Sequence, residues 1–188
     1  MADDDRTIGE VLGEHLRARS LPADSGVSLR WVKVRFLGVP IVFPNFDARR
    51  AILVLHDVHH LLTGYDTDWR GEGEIGAFEI ATGCKRYWAA WFFNSGGLLI
   101  GLLLAPWRTW RAWVRGRRAA NYYGRDSRAV LLLPVGAARR ELGLDRPVPG
   151  GTAADALGFL AWAVLVVVAH VAVPIGATAL LLRWWTSA

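Results

Sequence analysis

Cysteine is nearly absent: Cys84 stands alone in a chain of 188 residues. No disulfide can close within the chain, and no cysteine-based metal cluster can be built. Lysine is almost as scarce, since all but two of the 22 basic residues are arginine. The first residues, Met1-Ala2-Asp3-Asp4-Asp5, have no apolar run and no arginine-rich, acid-poor character. They fit neither a secretory signal nor a mitochondrial presequence, so a bacterial cytoplasm is the expected compartment for the polar part. No glycine-rich loop of the phosphate-cradling kind occurs.

What is abundant is apolar. The chain is 53% hydrophobic with ten Trp and a mean hydropathy of +0.23. Its length is that of one domain with a proper core. A net charge of +5 with many Trp fits either nucleic acid or a membrane surface. The distribution decides: residues 1–86 hold 11 Lys/Arg against 13 Asp/Glu, whereas 107–155 hold 10 against 4. The excess lies beside apolar segments, which favours an anionic membrane face and excludes nucleic acid as the expected partner.

Three of the five histidines fall in one run, His56-Asp57-Val58-His59-His60, followed after eleven residues by Glu72. On a helix His56 and His60 lie about 40° apart on one face, one turn from each other. Asp57 borders that face, and Glu72 returns from the next helix after a polar turn. A lone His on an apolar helix is usually structural. Three beside an Asp, with a carboxylate at this spacing, point to a divalent-metal site built from two facing helices. The expected ligands and catalytic residues are His56, Asp57, His60 and Glu72, and Asp57 could either bind the ion or orient a histidine. His59 points about 60° off the line of the other two and reads as a supporting or surface residue. Glu79 could hydrogen-bond a ligand, as carboxylates outside the ligand set do. Two His with one or two carboxylates leave open positions and suit Zn, Mn, Fe, Co or Mg.

Along the chain, Ile8, Leu12, His15 and Leu16 predict an amphipathic helix between Thr7 and Arg19. Strand formers from Ser28 to Phe43, broken by Gly38-Val39-Pro40, predict a hairpin. A helix from about Asp47 to Leu62, capped by Asn45 or Asp47, ends at Gly64. Another, Trp69 to Thr82, is capped by Thr67 or Asp68 and carries Glu72, Gly76 and Glu79 on one face. A third, rich in Arg and Trp, runs from Trp107 to Tyr122-Tyr123-Gly124 and is expected to lie on the membrane surface. Two segments lack any charge, Tyr87–Trp107 with 21 residues and Ala156–Leu182 with 27, and a span needs about 20. The polar Asn94-Ser95-Gly96-Gly97 in the first argues that it lies within the fold. Gly97 and Gly101 there form a small-xxx-small pair that admits another helix or a lipid chain, with Asn94 beside it. Only the second is expected to cross, with Arg183-Trp184-Trp185 at the far interface and a kink at Pro174.

The motif His56-Asp57-x-x-His60, eleven residues, Glu72, with Leu61-Leu62-Thr63-Gly64-Tyr65-Asp66-Thr67-Asp68 between, resembles the signature of the ubiquinone (coenzyme Q) biosynthesis protein Coq-four family. The likeness runs from about Pro44 to about Leu144, including Arg139-Arg140-Glu141-Leu142-Gly143-Leu144. It implies a role in making ubiquinone or a related prenylated quinone, with a metal-dependent replacement of a ring carboxylate by hydroxyl on a polyprenylated hydroxybenzoate-type intermediate. The alternative it implies is a non-catalytic, prenyl-lipid-binding scaffold that organises other quinone-biosynthesis proteins. A homodimer is a further expectation. Lys85 and Arg86 could help hold the carboxylate. The helical zinc-protease pattern is excluded because Asp57 stands where its Glu is needed. The HD-type phosphohydrolase set also fails, since no His lies between His15 and His56.

The expected fold is therefore mainly α: a multi-helix membrane-associated domain over 1–146 with a short N-terminal β-hairpin, a linker over 147–155, and a C-terminal transmembrane helix over 156–185. The expected location is the bacterial inner membrane, with the catalytic domain on the cytoplasmic side, because that places the Arg-rich stretch inside.

Overall fold

The structure, a computed structural model, describes residues 3–36, 38–148 and 150–187. It is mainly helical, with one two-stranded antiparallel hairpin near the N-terminus and one long apolar helix at the C-terminus. The chain folds into two compact units, each made of segments drawn from separate parts of the sequence.

The first unit comprises Met1–Tyr65, Thr82–Phe92 and Ala119–Pro147. Helix α1 (Ile8–Ala18) opens on a capping box: the Thr7 side chain accepts from the Glu10 N–H, and Glu10 accepts from the Thr7 N–H. Its apolar stripe Ile8, Val11, Leu12 and Leu16 is buried. Strands β1 (Trp31–Phe36) and β2 (Val39–Pro44) pair in the register Trp31 to Pro44 through Phe36 to Val39, with Gly38 at φ +84° in the turn. Helix α2 (Asp47–Thr63) follows and ends on Gly64 at φ +77°. Its N-cap is Phe46, with no side-chain cap. The two expected caps are occupied elsewhere, since the Asn45 amide donates to the Gly26 and Leu29 carbonyls and Asp47 pairs with Arg50. Later in the chain α6 (Ser127–Leu131) and α7 (Val135–Glu141) pack with α1 and α2. The N-terminal segment is stitched to them by Ile8 N–H to Leu133 O and Val135 N–H to Arg6 O.

The second unit comprises Asp66–Ala81, Phe93–Arg118 and Val148–Ala188. Helix α3 (Trp69–Thr82) is capped by Asp68, whose carboxylate accepts from the Gly71 N–H. Helix α4 (Trp88–Leu104) has 17 residues and breaks at Ala105-Pro106, too short for a span by itself. The two helices meet on glycine. A methyl placed on Gly73 would strike the Gly101 backbone, and one on Gly76 would lie 2.7 Å from the Asn94 carbonyl. The small-xxx-small pair Gly97/Gly101 thus receives a helix, α3.

Helix α5 (Pro106–Gly116) carries the Arg/Trp run but ends at Gly116, short of the expected Tyr122-Tyr123-Gly124, which lies in a loop. Its rings do not all face a membrane surface. Trp113 is buried, and Trp110 and Trp113 both pack on Phe159, while Trp107 is exposed. Phe159 belongs to α8 (Ala153–Val167), which continues through a π-helical turn, Val168–Ala172, into α9 (Val173–Ser187). The π turn sits where Pro174 has no N–H to give the carbonyl four residues back. The Val173 N–H reaches Val168 O, five back, instead. The uninterrupted α-helix thus gives way to a π turn just before Pro174. Ala153–Arg183 is the one helix among the described residues long and apolar enough to cross a membrane, at 31 residues.

Candidate metal centre

Helix α2 is held by its apolar positions, Ile52, Leu53, Leu55, Val58 and Leu62, all buried. That burial fixes the rotation of the helix and hence the direction of the intervening histidines. The His56 and His60 rings are edge to face, with centroids 4.8 Å apart and Nε2 atoms 3.3 Å apart. His60 is almost fully buried and His56 half-buried. The Nδ1 of His60 lies 3.2 Å from the Tyr65 carbonyl, just past the Gly64 cap. A proton on Nδ1 satisfies that carbonyl and leaves the Nε2 lone pair facing His56, which is the tautomer a metal needs.

Glu72, in the first turn of α3, completes the group. One ligand atom from each of His56, His60 and Glu72 lies within 4.8 Å of the others. Two nitrogens held about 2.0–2.1 Å from a tetrahedral ion stand about 3.3–3.4 Å apart, matching the imidazole pair. Glu72 is half-buried. These three residues could hold a metal ion. Two imidazoles and a carboxylate with further positions open is a set that suits Zn, Mn, Fe or Co.

The other expected residues fall elsewhere. Asp57 is half-buried and outside the converging group; one residue along a helix turns the side chain about 100° from His56. His59 is fully buried, not on the surface. Its Nε2 accepts from the Tyr122 N–H at 2.9 Å, and its ring packs edge-on against Tyr123. Glu79 is fully buried and accepts from the Asn94 amide. Asn94 and Gly97, expected beside a lipid channel, thus face α3, as Gly101 does. Lys85 adopts φ +48°, and its amine lies close to Gly124.

Three contacts had no signal in the sequence. The Tyr65 carbonyl is a backbone group, indifferent to side-chain type. Tyr122 meets His59 across 63 residues. Buried Glu74 takes the Arg108 guanidinium at 2.5 Å. That carboxylate, with Asp68 and Asp66 adding smaller contributions, holds Arg108 above its ordinary pKa. The Tyr122 hydroxyl is also pushed up, by burial first and then by its bond to Glu141. Compared with protein-family models, curated proteins and solved structures, the chain finds no match.

Proposed function

We propose that the chain is a membrane-anchored, metal-dependent enzyme of prenylated quinone biosynthesis, and that His56, His60 and Glu72 hold its ion. The observation that carries the reading is the convergence of these three ligand atoms within 4.8 Å. The tie to quinone chemistry comes from the resemblance of the segment from Pro44 to Leu144 to the Coq-four family. The reaction it implies is replacement of a ring carboxylate by hydroxyl. The ring loses carbon dioxide and gains an oxygen, a two-electron oxidation that consumes an oxidant such as dioxygen. A bound divalent ion supplies Lewis acidity for a carboxylate or phenolate oxygen.

The chain's own residues do the rest. Burial of His60, and its bond to Tyr65 O, present Nε2 in one orientation. His56 and Glu72 are half-buried, and a substrate is proposed to approach the ion from their side. Asp57 is next to His56 in sequence and is proposed to tune that imidazole rather than to bind. The helix Ala153–Arg183 is proposed to cross the bacterial inner membrane, which suits a substrate whose prenyl tail stays in lipid. The catalytic part is then proposed to sit on the cytoplasmic side.

The test is metal analysis of the purified chain, followed by conversion of a short-chain prenylated 4-hydroxybenzoate-type acid after loading with each candidate ion. Stoichiometric metal that His60→Ala removes, together with product that requires it, supports the proposal. Metal without turnover under any oxidant leaves the scaffold role, with the ion pinning two helices.

A further inference from the structure

The hairpin β1–β2 presents an apolar surface that the metal centre does not use. Val39, Ile41 and Val42 on β2 are 61%, 43% and 55% exposed, and Trp31 on β1 is 50% exposed. The ribbon is covered towards its base, where Val32 is buried and Val34 and Phe43 are half-buried. Cross-strand partners share a face, so the register sorts the side chains into two sets. One face carries Trp31, Lys33, Arg35 and Val42 between Pro40 and Pro44. The other carries Val32, Val34, Ile41, Phe43 and Val39. A two-stranded ribbon is marginal in water by itself, and this one leaves its apolar tip uncovered on both faces.

Charge identifies what covers it. No acidic residue occurs between Asp24 and Asp47, while Arg30, Lys33 and Arg35 fall in that interval. Pairing through the face of Trp31 and Val42 with the same face of a second copy about a two-fold axis would set Lys33 and Arg35 against their own equivalents. Addition of a foreign strand to β2 is blocked at Pro40 and Pro44, which lack the N–H that a docking strand needs. Apolar side chains interleaved with cations and one exposed Trp instead match the boundary of an anionic bilayer. Aliphatic groups there enter the acyl region, Trp sits at headgroup depth and the cations meet phosphate.

We infer that the hairpin is a membrane-inserting finger. Val39 and Ile41, on one face near its tip, enter one leaflet of an anionic bilayer while Lys33 and Arg35, on the opposite face, reach lipid phosphates. This adds a second attachment to the one proposed for the long C-terminal helix. Once one segment holds the chain at a bilayer, the second partitions from a high effective concentration.

The experiment uses the full chain with Cys84→Ala, carrying one new cysteine at Val39 or, as a control, at exposed Arg128. Each is labelled with an environment-sensitive fluorophore and reconstituted into phosphatidylcholine vesicles with or without phosphatidylglycerol. The Val39 probe is expected to shift to the blue with phosphatidylglycerol and to be quenched by lipids bearing a shallow nitroxide, while the Arg128 probe stays aqueous. Each Lys or Arg near an anionic surface contributes about fivefold, so K33E/R35E should lower the inserted-to-aqueous ratio by at least about 30-fold.

A Val39 probe that stays aqueous in chains that float with the vesicles overturns the inference and leaves the C-terminal anchor standing. A blue shift that ignores both phosphatidylglycerol and charge reversal overturns it as well, as does one that appears without lipid and grows with protein concentration, which would mean a second copy. If the chain does not float, the long-helix anchor fails on its own. The hairpin is then judged by adding anionic vesicles to the soluble chain, and a lipid-independent Val39 signal overturns it there too.

Discussion

Three residues make up the candidate metal centre, and they do not contribute alike. His60 is buried, and its Nδ1 is already committed to the Tyr65 carbonyl, so its Nε2 lone pair is pre-oriented. His60→Ala should lose metal by at least about tenfold in affinity, since removing even a partner outside the ligand set typically costs 10–100-fold. Competition with a chelator measures it. His59 is the control. It stands one residue away but serves the fold, accepting from the Tyr122 N–H in the core. His59→Leu strands that donor and should cost about 1–3 kcal/mol in denaturant unfolding, with metal stoichiometry unchanged. Full loss of metal with normal stability would make His59 a ligand. The sequence made the pair His56/His60 and the partner Glu72 legible, because helical spacing alone sets which side chains share a face. It could not separate Asp57 from the ligands or place His59 in the core. Those outcomes depend on helix rotation, and that is fixed by contacts with residues far along the chain.

At the scale of elements, boundaries set by backbone chemistry were readable and those set by packing were not. Gly64 and Gly83 end their helices in the left-handed region, and Asp68 caps α3, as their residue types require. Gly116 is different. It ends α5 in a place where a methyl would strike the Phe78 carbonyl, a contact between distant segments that no local signal announces. The glycines joining α3 and α4 are similar, since small residues admit close approach without naming the partner. Gly101→Leu should wedge these helices apart and destabilise the fold by about 1–3 kcal/mol or more, with all ligands intact, as read from thermal or denaturant unfolding. The cap of α1 gives a pH-dependent test. The Glu10 carboxyl is held below its usual pKa, first by the Thr7 N–H and then by the Thr7 hydroxyl. A depressed folded value means that stability is present above the unfolded pKa and lost as pH falls through the folded one. Glu10→Gln should remove that component, so the difference between variant and parent shrinks on acidification. A difference that grows instead would show that the cap does not act through the ionised carboxylate.

Across the whole molecule the C-terminal helix has two different halves. Its length and composition were plain in the sequence, because an uncharged run of 27 residues has few other uses. Its first turns were not, and there it behaves as part of the folded unit. Thr152 and Asp155 form a capping box, the buried Asp155 carboxylate takes Arg118, and its carbonyl accepts from the Trp113 indole. Trp110 and Trp113 pack on Phe159, and Ser95 bonds His170 a full 75 residues away. From Val171, inside the π turn, through Arg183 the exposure is continuous. A tail added for anchoring alone would need none of the first set of contacts. A chain ending at Thr152 should therefore lose more than the membrane attachment proposed for this helix. Trp113 and the α5 face beneath Phe159 become exposed, and uncovering one large buried side chain costs about 1.5–3 kcal/mol. The expected outcome is an aggregated or protease-sensitive second unit. A chain ending at Ala172 keeps the covered turns and Ser95–His170, and should stay folded while failing to float with vesicles. A monodisperse, protease-resistant chain ending at Thr152, read by size exclusion and limited proteolysis, would reduce the helix to a separable anchor.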